Sequence, residues 1–308
     1  MRISRVLLAL VPAALVVAAC SGSDELTLEP VTDEAGFTVT VEDIGAEPRQ
    51  VLRIVSEVGA SQAVTQVQDI GMDIEAAGQS QSMQNPTTEI DITYVVTGVD
   101  GDRIEVEGTY DEVRVLETAG ADAATVAATR ETMAAFDGAS FRGTYTDRGS
   151  VIGIEFAGLD AGGALGEPFG AMFDQLIDGL SESAESLSVP FPVEAVGVGA
   201  RWTVESSAEL GGLPFEQTST VVITELDGDR VVGTLDQELR FVEGEAEVFG
   251  VTVDVIGGEF TGGGPIEWDL TESVLPYMDS TMVGTAILEA QGNRITQDQR
   301  THIVTTPR

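Results

Sequence analysis

Ile90–Tyr110 reads IDITYVVTGVDGDRIEVEGTY, and this run sets the architecture of the chain. β-Branched and aromatic residues alternate with polar ones on both sides of Asp100-Gly101, and this alternation places apolar side chains on one face of a strand. Asp-Gly between two alternating runs is a strong signal for a tight hairpin. The run therefore predicts two antiparallel strands joined by a short turn.

Part of this hairpin occurs again later in the chain. Thr97–Ile104 is echoed by Thr224–Val231 around a second Asp-Gly, and Val58–Val64 is echoed by Val198–Val204. The two matches occur in the same order in both halves. However, Val58–Val64 and its echo lie further apart in the chain than Thr97–Ile104 and its echo. An insertion in the polar segment Ala76–Pro86 of the first half explains the difference. Such self-similarity predicts duplication of one β-rich unit.

Other alternating runs extend the β prediction. Phe37–Val41 alternates within an otherwise polar segment and is left open as an added strand. Gly292-Asn293 is expected to turn the chain between the last two strands. The remaining strands are predicted at Ser140–Thr146, Val151–Phe156, Glu247–Val255, Thr281–Leu288 and Arg294–Val304.

Two segments have helical periodicity instead. Ala119–Phe136 is rich in alanine and places its larger apolar residues on one face. Pro168–Leu187 carries a stronger apolar stripe, at positions i, i+3, i+4, i+7, i+8 and i+11, with acidic residues on the opposite face. Pro168 suits the first turn of a helix, and Pro190-Phe191-Pro192 ends the segment. We therefore expect one short helix and one amphipathic helix between the two halves.

The apolar stripe of the second segment has two interpretations. Packing onto the sheet is the default, because apolar stripes usually belong to a core. The sharper hypothesis is that the helix covers an apolar cavity and lines a pocket for an acyl chain or similar ligand. Flexible methionine and aromatic side chains suit adaptable ligand sites and cores equally. The candidate ligand-binding residues are Phe169, Met172, Phe173, Leu176, Ile177 and Leu180.

The N-terminus has the form of a secretory leader. Met1–Arg5 is basic, Val6–Val17 is apolar, and small residues precede Cys20. Residues 1–19 therefore predict a signal peptide, which is too short to span a membrane. The end of the leader resembles the lipobox of bacterial lipoproteins, which implies that Cys20 becomes the lipidated N-terminus. The expected location is the cell membrane, with a lipid-anchored domain on the extracytoplasmic side.

The composition narrows the classes of partner. The chain has 52 acidic and 15 basic residues, all of the latter arginine, and a formal net charge of −37. Such a chain repels nucleic-acid phosphates, so nucleic-acid binding is not expected. The acidity favours a soluble surface over a cation site. The acidic segment 20–48 is interpreted as a tether between the membrane and the folded part.

Most catalytic devices are absent from the sequence. Without lysine there is no Walker A motif, Ser–Lys dyad or Schiff base, and His302 is the single histidine. Cys20 is the single cysteine, so thiolate metal sites and internal disulfides are excluded. We expect no enzyme activity, no catalytic residue, no metal and no cofactor. Paired carboxylates remain open at Glu267-Trp268-Asp269, where the favoured interpretation is a strand with Trp268 inward and the acids outward.

Two glycine-containing motifs have structural interpretations. Asp100-Gly101-Asp102 and Asp227-Gly228-Asp229 lack the alternating oxygens of a calcium loop, so we interpret them as hairpin turns. Thr261–Pro265, which reads TGGGP, is expected to be a flexible loop because no strand and helix flank it for phosphate binding.

One resemblance can be named from short motifs. Val189-Pro190-Phe191-Pro192-Val193 is followed by Val196–Trp202, which together make a P-x-P…V-G-x-x-W pattern. The pattern resembles that of uncharacterised Gram-positive, actinobacterial-like lipoproteins with duplicated β-rich halves, over most of residues 50–308. No activity follows from that family. In architecture alone, the chain also resembles lipid-carrier lipoproteins, which implies a ligand but does not establish one.

These inferences combine into one expectation. We predict a β-rich α+β protein of two pseudo-repeated, antiparallel, half-barrel-like curved sheets with one or two amphipathic helices. The expected function is a non-enzymatic, membrane-anchored lipoprotein that binds or carries an apolar ligand such as a lipid. The alternative is a structural or protein-interaction lipoprotein without a ligand pocket. The expected divisions are 1–19 signal peptide, 20–48 tether, 49–160 first repeat, 161–195 linking helix and 196–308 second repeat.

Overall fold

A computed structural model describes residues 28–118, 121–157, 188–210, 212–248, 251–271 and 275–308. Cys20 lies outside these residues. So do the six candidate ligand-binding residues of the predicted amphipathic helix, Phe169, Met172, Phe173, Leu176, Ile177 and Leu180.

Within the described residues the chain forms seventeen strands and one helix, α1 (Ala123–Met133). The strands of the N-terminal part are β1 (Val31–Thr32), β2 (Thr38–Asp43), β3 (Gln50–Val51), β4 (Ser61–Ala76), β5 (Gln79–Gln84), β6 (Thr88–Asp100), β7 (Arg103–Val115), β8 (Ser140–Thr146) and β9 (Val151–Ala157). The strands of the C-terminal part are β10 (Ala195–Val196), β11 (Arg201–Leu210), β12 (Leu213–Asp227), β13 (Arg230–Phe241), β14 (Gly244–Val248), β15 (Val251–Asp269), β16 (Tyr277–Ala290) and β17 (Asn293–Pro307).

Fifteen strands belong to one antiparallel sheet, in the order β1-β2-β11-β12-β13-β15-β16-β17-β4-β6-β7-β8-β9, with β14 beside β15 and β5 beside β4. The sequence predicted two curved sheets and left open whether they are continuous; in the structure these strands form one sheet. The junction is the pairing of β17 with β4, which places Thr301 opposite Ile70. The pairing satisfies two strand edges that separate sheets would leave open.

The sheet curls so that its two ends share one core. Phe37 and Val39, beside and within β2, lie in the same buried cluster as Tyr145 of β8 and Val151 of β9. The hydroxyl of Ser150 also donates to Asp33 Oδ2 over 2.5 Å. The run Phe37–Val41, which the sequence left open as a strand, thus forms most of β2 and pairs with β11.

The predicted hairpins form with small shifts. Asp100 pairs with Arg103, so Gly101 and Asp102 make the turn, and Gly101 has a positive φ of 65°. Glycine at the first turn position is the signature of a type II′ turn. Between β16 and β17 the turn is Gln291-Gly292, one residue earlier than Gly292-Asn293, because Asn293 already pairs with Ala290.

The prediction of a loop at Thr261–Pro265 is wrong, since this run lies inside β15. Its glycines let neighbouring backbones approach. A Cβ on Gly263 would lie 1.9 Å from Leu235 O, and one on Gly264 would lie 1.9 Å from Asp279 O. The run indicates close strand packing instead of flexibility.

The helix predicted at Ala119–Phe136 corresponds to α1 in its described part. Asp122 caps it by accepting from the amides of Ala124 and Thr125. Val126 is buried, and Phe136, just beyond the helix, meets Tyr110 edge-on at 5.8 Å between ring centroids. The helix therefore covers part of β7.

The Pro-Phe-Pro motif closes the base of the curled sheet, defined as the end where β4 and β11 begin. Trp202 is fully buried there, and its indole N–H donates to Pro190 O over 3.2 Å. The ring of Phe191 packs edge-on against Trp268 at 5.1 Å. Arg148 Nε donates to Phe191 O over 2.6 Å. This contact set gives the P-x-P…V-G-x-x-W residues a structural role in sealing the base.

Candidate functional site: the uncharged inner face

The inner face is the face of the large sheet that holds the buried cluster. Along β4, β6, β7, β11, β12, β13, β15, β16 and β17 it carries no charged side chain in the part of the chain that the structure describes. On β17, for example, Gln297 and Gln299 point inward, whereas Asp298 and Arg300 take the alternate, outer positions. Strand alternation has thus separated the charges of a very acidic chain from its interior.

Three inward tyrosines also add no charge to the interior. Burial raises the pKa of Tyr110 to about 12, and it raises the pKa values of Tyr94 and Tyr145 as well. A tyrosine hydroxyl is already neutral at physiological pH, and burial disfavours its charged form further.

The outer face carries the ion pairs. Arg114 Nη2 lies 3.0 Å from Asp91 Oδ2, and Arg308 Nη1 lies 3.5 Å from the same oxygen. The hydroxyl of Thr65 donates to Asp91 over 2.6 Å, and this bond, followed by the arginines, holds the pKa of Asp91 below its usual value despite burial. The cluster fastens Arg308 to β4 and β6.

Above the sealed base, part of the inner face is only half-buried. We call this the inner strip: Ile70, Met72 and Ile74 of β4, Gln297, Gln299 and Thr301 of β17, and Met282 of β16. The apolar members of the strip belong to two flanking strands, and the polar ones to the strand between them. Ile70, Met72 and Ile74 lie outside the buried clusters of the described residues.

A directional hydrogen-bond ladder runs along the middle of the inner strip. Gln297 Nε2 donates to Gln299 Oε1 over 3.1 Å, and Gln299 Nε2 donates to Thr301 Oγ1 over 3.0 Å. The side-chain carbonyl of Gln297 accepts no hydrogen bond from a described residue. Among the described residues, the ladder therefore ends in an uncharged acceptor without a donor.

A second group of uncharged polar side chains lies deeper, on β12 and β13. Gln217 Nε2 donates to Ser219 Oγ over 3.0 Å, and both residues are buried, with exposed fractions of 3% and 1%. Gln237 lies beside them, with its Nε2 3.5 Å from the same hydroxyl. Gln217 Oε1 is buried without a hydrogen-bond partner among the described residues. A buried acceptor without a partner is costly and calls for a donor at that point.

The outer face of the same strands has a shallow groove of about 530 Å³. Asp73 and Asp298 face each other across β4 and β17 there, Thr285 donates to Asp298, and Arg300 lies one row away. Among the described residues, no group of three or more histidine, cysteine, aspartate or glutamate side chains is placed to hold a metal ion.

The carboxylates considered in the sequence are also on the outer face. Trp268 is buried, as favoured, and Glu267 forms a bidentate pair with Arg230 over 2.7 and 2.9 Å. His302 Nε2 lies 2.8 Å from Asp279 Oδ1, again outside.

Sequence reasoning missed the inner strip, although its signal was present. Glutamines alternate with other residues at Gln62, Gln66 and Gln68 of β4 and at Gln297 and Gln299 of β17. Amides at the inward positions of strands are unusual, because such positions are normally apolar. The signal needed the sheet order to show which face these residues share.

No protein-family model matches the chain, and no curated protein matches it. Among solved structures, the translocator domain of autotransporter NalP from Neisseria meningitidis aligns at a TM-score of 0.18 and 9% identity, covering 80% of this chain and 88% of that one. Pseudomonas aeruginosa OccK8 (OprE) aligns at a TM-score of 0.18 and 7% identity, covering 80% and 98%. Likenesses this low establish no common fold.

None of the described helical residues forms a segment long and apolar enough to cross a membrane.

Proposed function

We propose that the protein is a non-enzymatic lipoprotein, anchored through Cys20 on the extracytoplasmic side of the cell membrane, that binds an apolar or amphiphilic molecule on the inner strip. The observation that carries the proposal is the combination of an uncharged inner face, a sealed base and the half-buried Ile70, Met72 and Ile74 above it. Apolar side chains beside a few ordered polar groups are typical of sites for small apolar ligands.

Adjacent residues of β16 provide a matched test of the ligand site. Met282 points inward and is half-buried, whereas Val283 points outward, is 48% exposed and lies opposite Arg300. We expect Met282→Glu to abolish lipid co-purification in native mass spectrometry of the whole chain carrying Cys20→Ser. Val283→Glu adds the same charge and should leave co-purification unchanged. Equal loss in both variants, or a clean apo mass for the parent, would contradict the ligand site.

The anchor has its own test. Cells fed an alkyne fatty acid should label the protein, and Cys20→Ser should remove the label and release the protein from membranes. Labelling that persists in Cys20→Ser would contradict anchoring at this residue.

We propose as well that the two halves descend from one duplicated unit. A register shift between Val96 and Gly98 in β6 recurs between Ile223 and Glu225 in β12, and the two shifts are separated by the same length of chain as the two Asp-Gly turns. In this interpretation the hairpins are interchangeable. Grafting Thr224–Val231 onto positions 97–104 should keep the fold, measured by circular dichroism, whereas a shuffled graft should not.

The alternative function, protein interaction, is favoured by one feature of the base. Three apolar side chains of the base are exposed to solvent instead of buried. They are Val55 at 62%, Val58 at 66% and Val198 at 44%. A photo-crosslinking residue at Val55 should capture a specific envelope protein if this surface docks a partner. The same residue at Val283, on the outer face, serves as the control. Absence of a Val55-specific product would remove this alternative.

A further inference from the structure

We infer that the inner strip selects an uncharged, hydroxyl-bearing lipid and rejects anionic lipids. This inference rests on the proposed function and adds the chemical class of the ligand. It commits to one occupant, a diacylglycerol-type lipid whose head group has hydroxyl donors and no charge.

The uncharged inner face disfavours an anionic head group. An ionised head group that leaves water needs an opposite charge or several strong donors, because its desolvation is otherwise too costly. The inner face of the nine strands named above offers no arginine, and the fifteen arginines of the chain are opposed by 52 acidic residues. A carboxylate or phosphate head would therefore be buried without a counter-charge and inside the field of an acidic protein.

The hydrogen-bond ladder of the strip calls for a donor. The ladder Gln297–Gln299–Thr301 ends in the side-chain carbonyl of Gln297, which accepts no hydrogen bond from a described residue. This open position is an acceptor, so the group that completes it is a donor. Hydroxyls of an uncharged head group supply donors without adding charge.

The inner strip is elongated. From Gln297 to Thr301 the inward residues of β17 extend for about 13 Å at about 3.3 Å per residue. The apolar column of β4, with Ile70, Met72 and Ile74, lies beside them in register on the antiparallel strand. An acyl chain can lie along the apolar column while the head group meets the amides beside it.

The test compares lipids that share oleoyl chains and differ in the head group. Dioleoylglycerol or dioleoyl-glucosylglycerol, carried in vesicles of dioleoyl-phosphatidylcholine, is compared with dioleoyl-phosphatidylglycerol and with oleic acid at the same fraction in the same vesicles. Transfer to the whole chain carrying Cys20→Ser is measured by native mass spectrometry and titration. We expect the uncharged lipids to bind at least about tenfold more tightly than the anionic ones.

Two isosteric variants test whether the hydrogen-bond ladder contributes to lipid binding. Gln299→Met keeps the volume and removes the amide, and should weaken binding of the uncharged lipids about fivefold. Gln84→Met removes an amide that donates to Asp69 on the outer face and should leave binding unchanged. Gln299→Arg should shift the preference toward phosphatidylglycerol.

The possible outcomes distinguish the preference for uncharged lipids from the proposed function itself. Equal or tighter binding of anionic lipids overturns this inference and leaves the proposed function standing. Failure of every lipid to bind overturns both. A tenfold preference that Gln299→Met does not change overturns the role of the ladder.

Discussion

Gly59 and Gly199 make the same backbone hydrogen bond in two different parts of the sheet. The amide of Gly59 donates to Val96 O over 2.8 Å, and that of Gly199 donates to Ile223 O over 2.8 Å. Both glycines have positive φ, 91° and 85°. Each therefore sets the path by which the chain enters its first long strand, β4 or β11.

Replacing either glycine by alanine should cost about 1 kcal/mol of unfolding free energy, because L-residues resist this backbone conformation. Steric conflict adds nothing, since no atom lies within 4 Å of the new Cβ in either case. Urea denaturation measures the loss. Gly59→Asn and Gly199→Asn should cost less than alanine, as asparagine tolerates positive φ. An alanine variant as stable as the parent would show that the loop adopts another conformation.

Trp202→Phe should destabilise the fold by more than its loss of volume explains. The change removes the indole donor and leaves Pro190 O without its hydrogen bond inside a sealed base, which costs about 1–3 kcal/mol. Trp268→Phe is the matched control, because Trp268 is similarly buried and packs on Phe191. Thermal denaturation compares the two. Equal losses would mean that the hydrogen bond contributes nothing.

The glycine run of β15 should tolerate no side chain. Gly263→Ala places a Cβ 1.9 Å from a backbone oxygen at a φ of 144°, so a strand must shift. We expect a loss of about 3 kcal/mol or more. Gly101→Ala, where nothing lies within 4 Å, should cost about 1 kcal/mol. Hydrogen exchange at β13 and β16 would show whether the strands separate. Similar stability of both variants would contradict the close packing.

Acid should weaken the cluster around Asp91. The pKa of this carboxyl in the folded protein lies below its ordinary value of 3.8. The stabilisation is therefore complete above the unfolded value and is lost as the pH falls through the folded one. In Asp91→Asn this part of the acid dependence should disappear, as measured by urea denaturation between about pH 2 and pH 6. Asp73→Asn, an exposed outer-face change, should keep the dependence of the parent.

Alternation predicts which way individual residues of the candidate site point, but it does not predict the site. The inward and outward parity of Gln297 and Asp298 can be predicted from residue type, because charged side chains avoid a core. The apolar stripe Phe169–Leu180, which the sequence favours as a ligand site, lies outside the described residues, so that hypothesis stays a prediction. The neighbourhood of Met72 and Gln299 could not be predicted, since it depends on the pairing of β4 with β17, two strands that are far apart in the chain.

Most local structure could be predicted from residue order alone, namely the alternating strands, the Asp-Gly hairpins and the helix α1, but the predicted strand Glu247–Val255 spans the end of β14 and the start of β15. These depend on side-chain period and on φ preferences of residues close together in the chain, such as Gly101 and Asp122. The pairing of β17 with β4 into one sheet, and the strand conformation of the glycine run of β15, became visible only in the folded chain. Both features depend on which strand edges come together in the folded chain. Local propensity cannot predict that pairing, because the pairing depends on which edges the rest of the chain leaves unpaired.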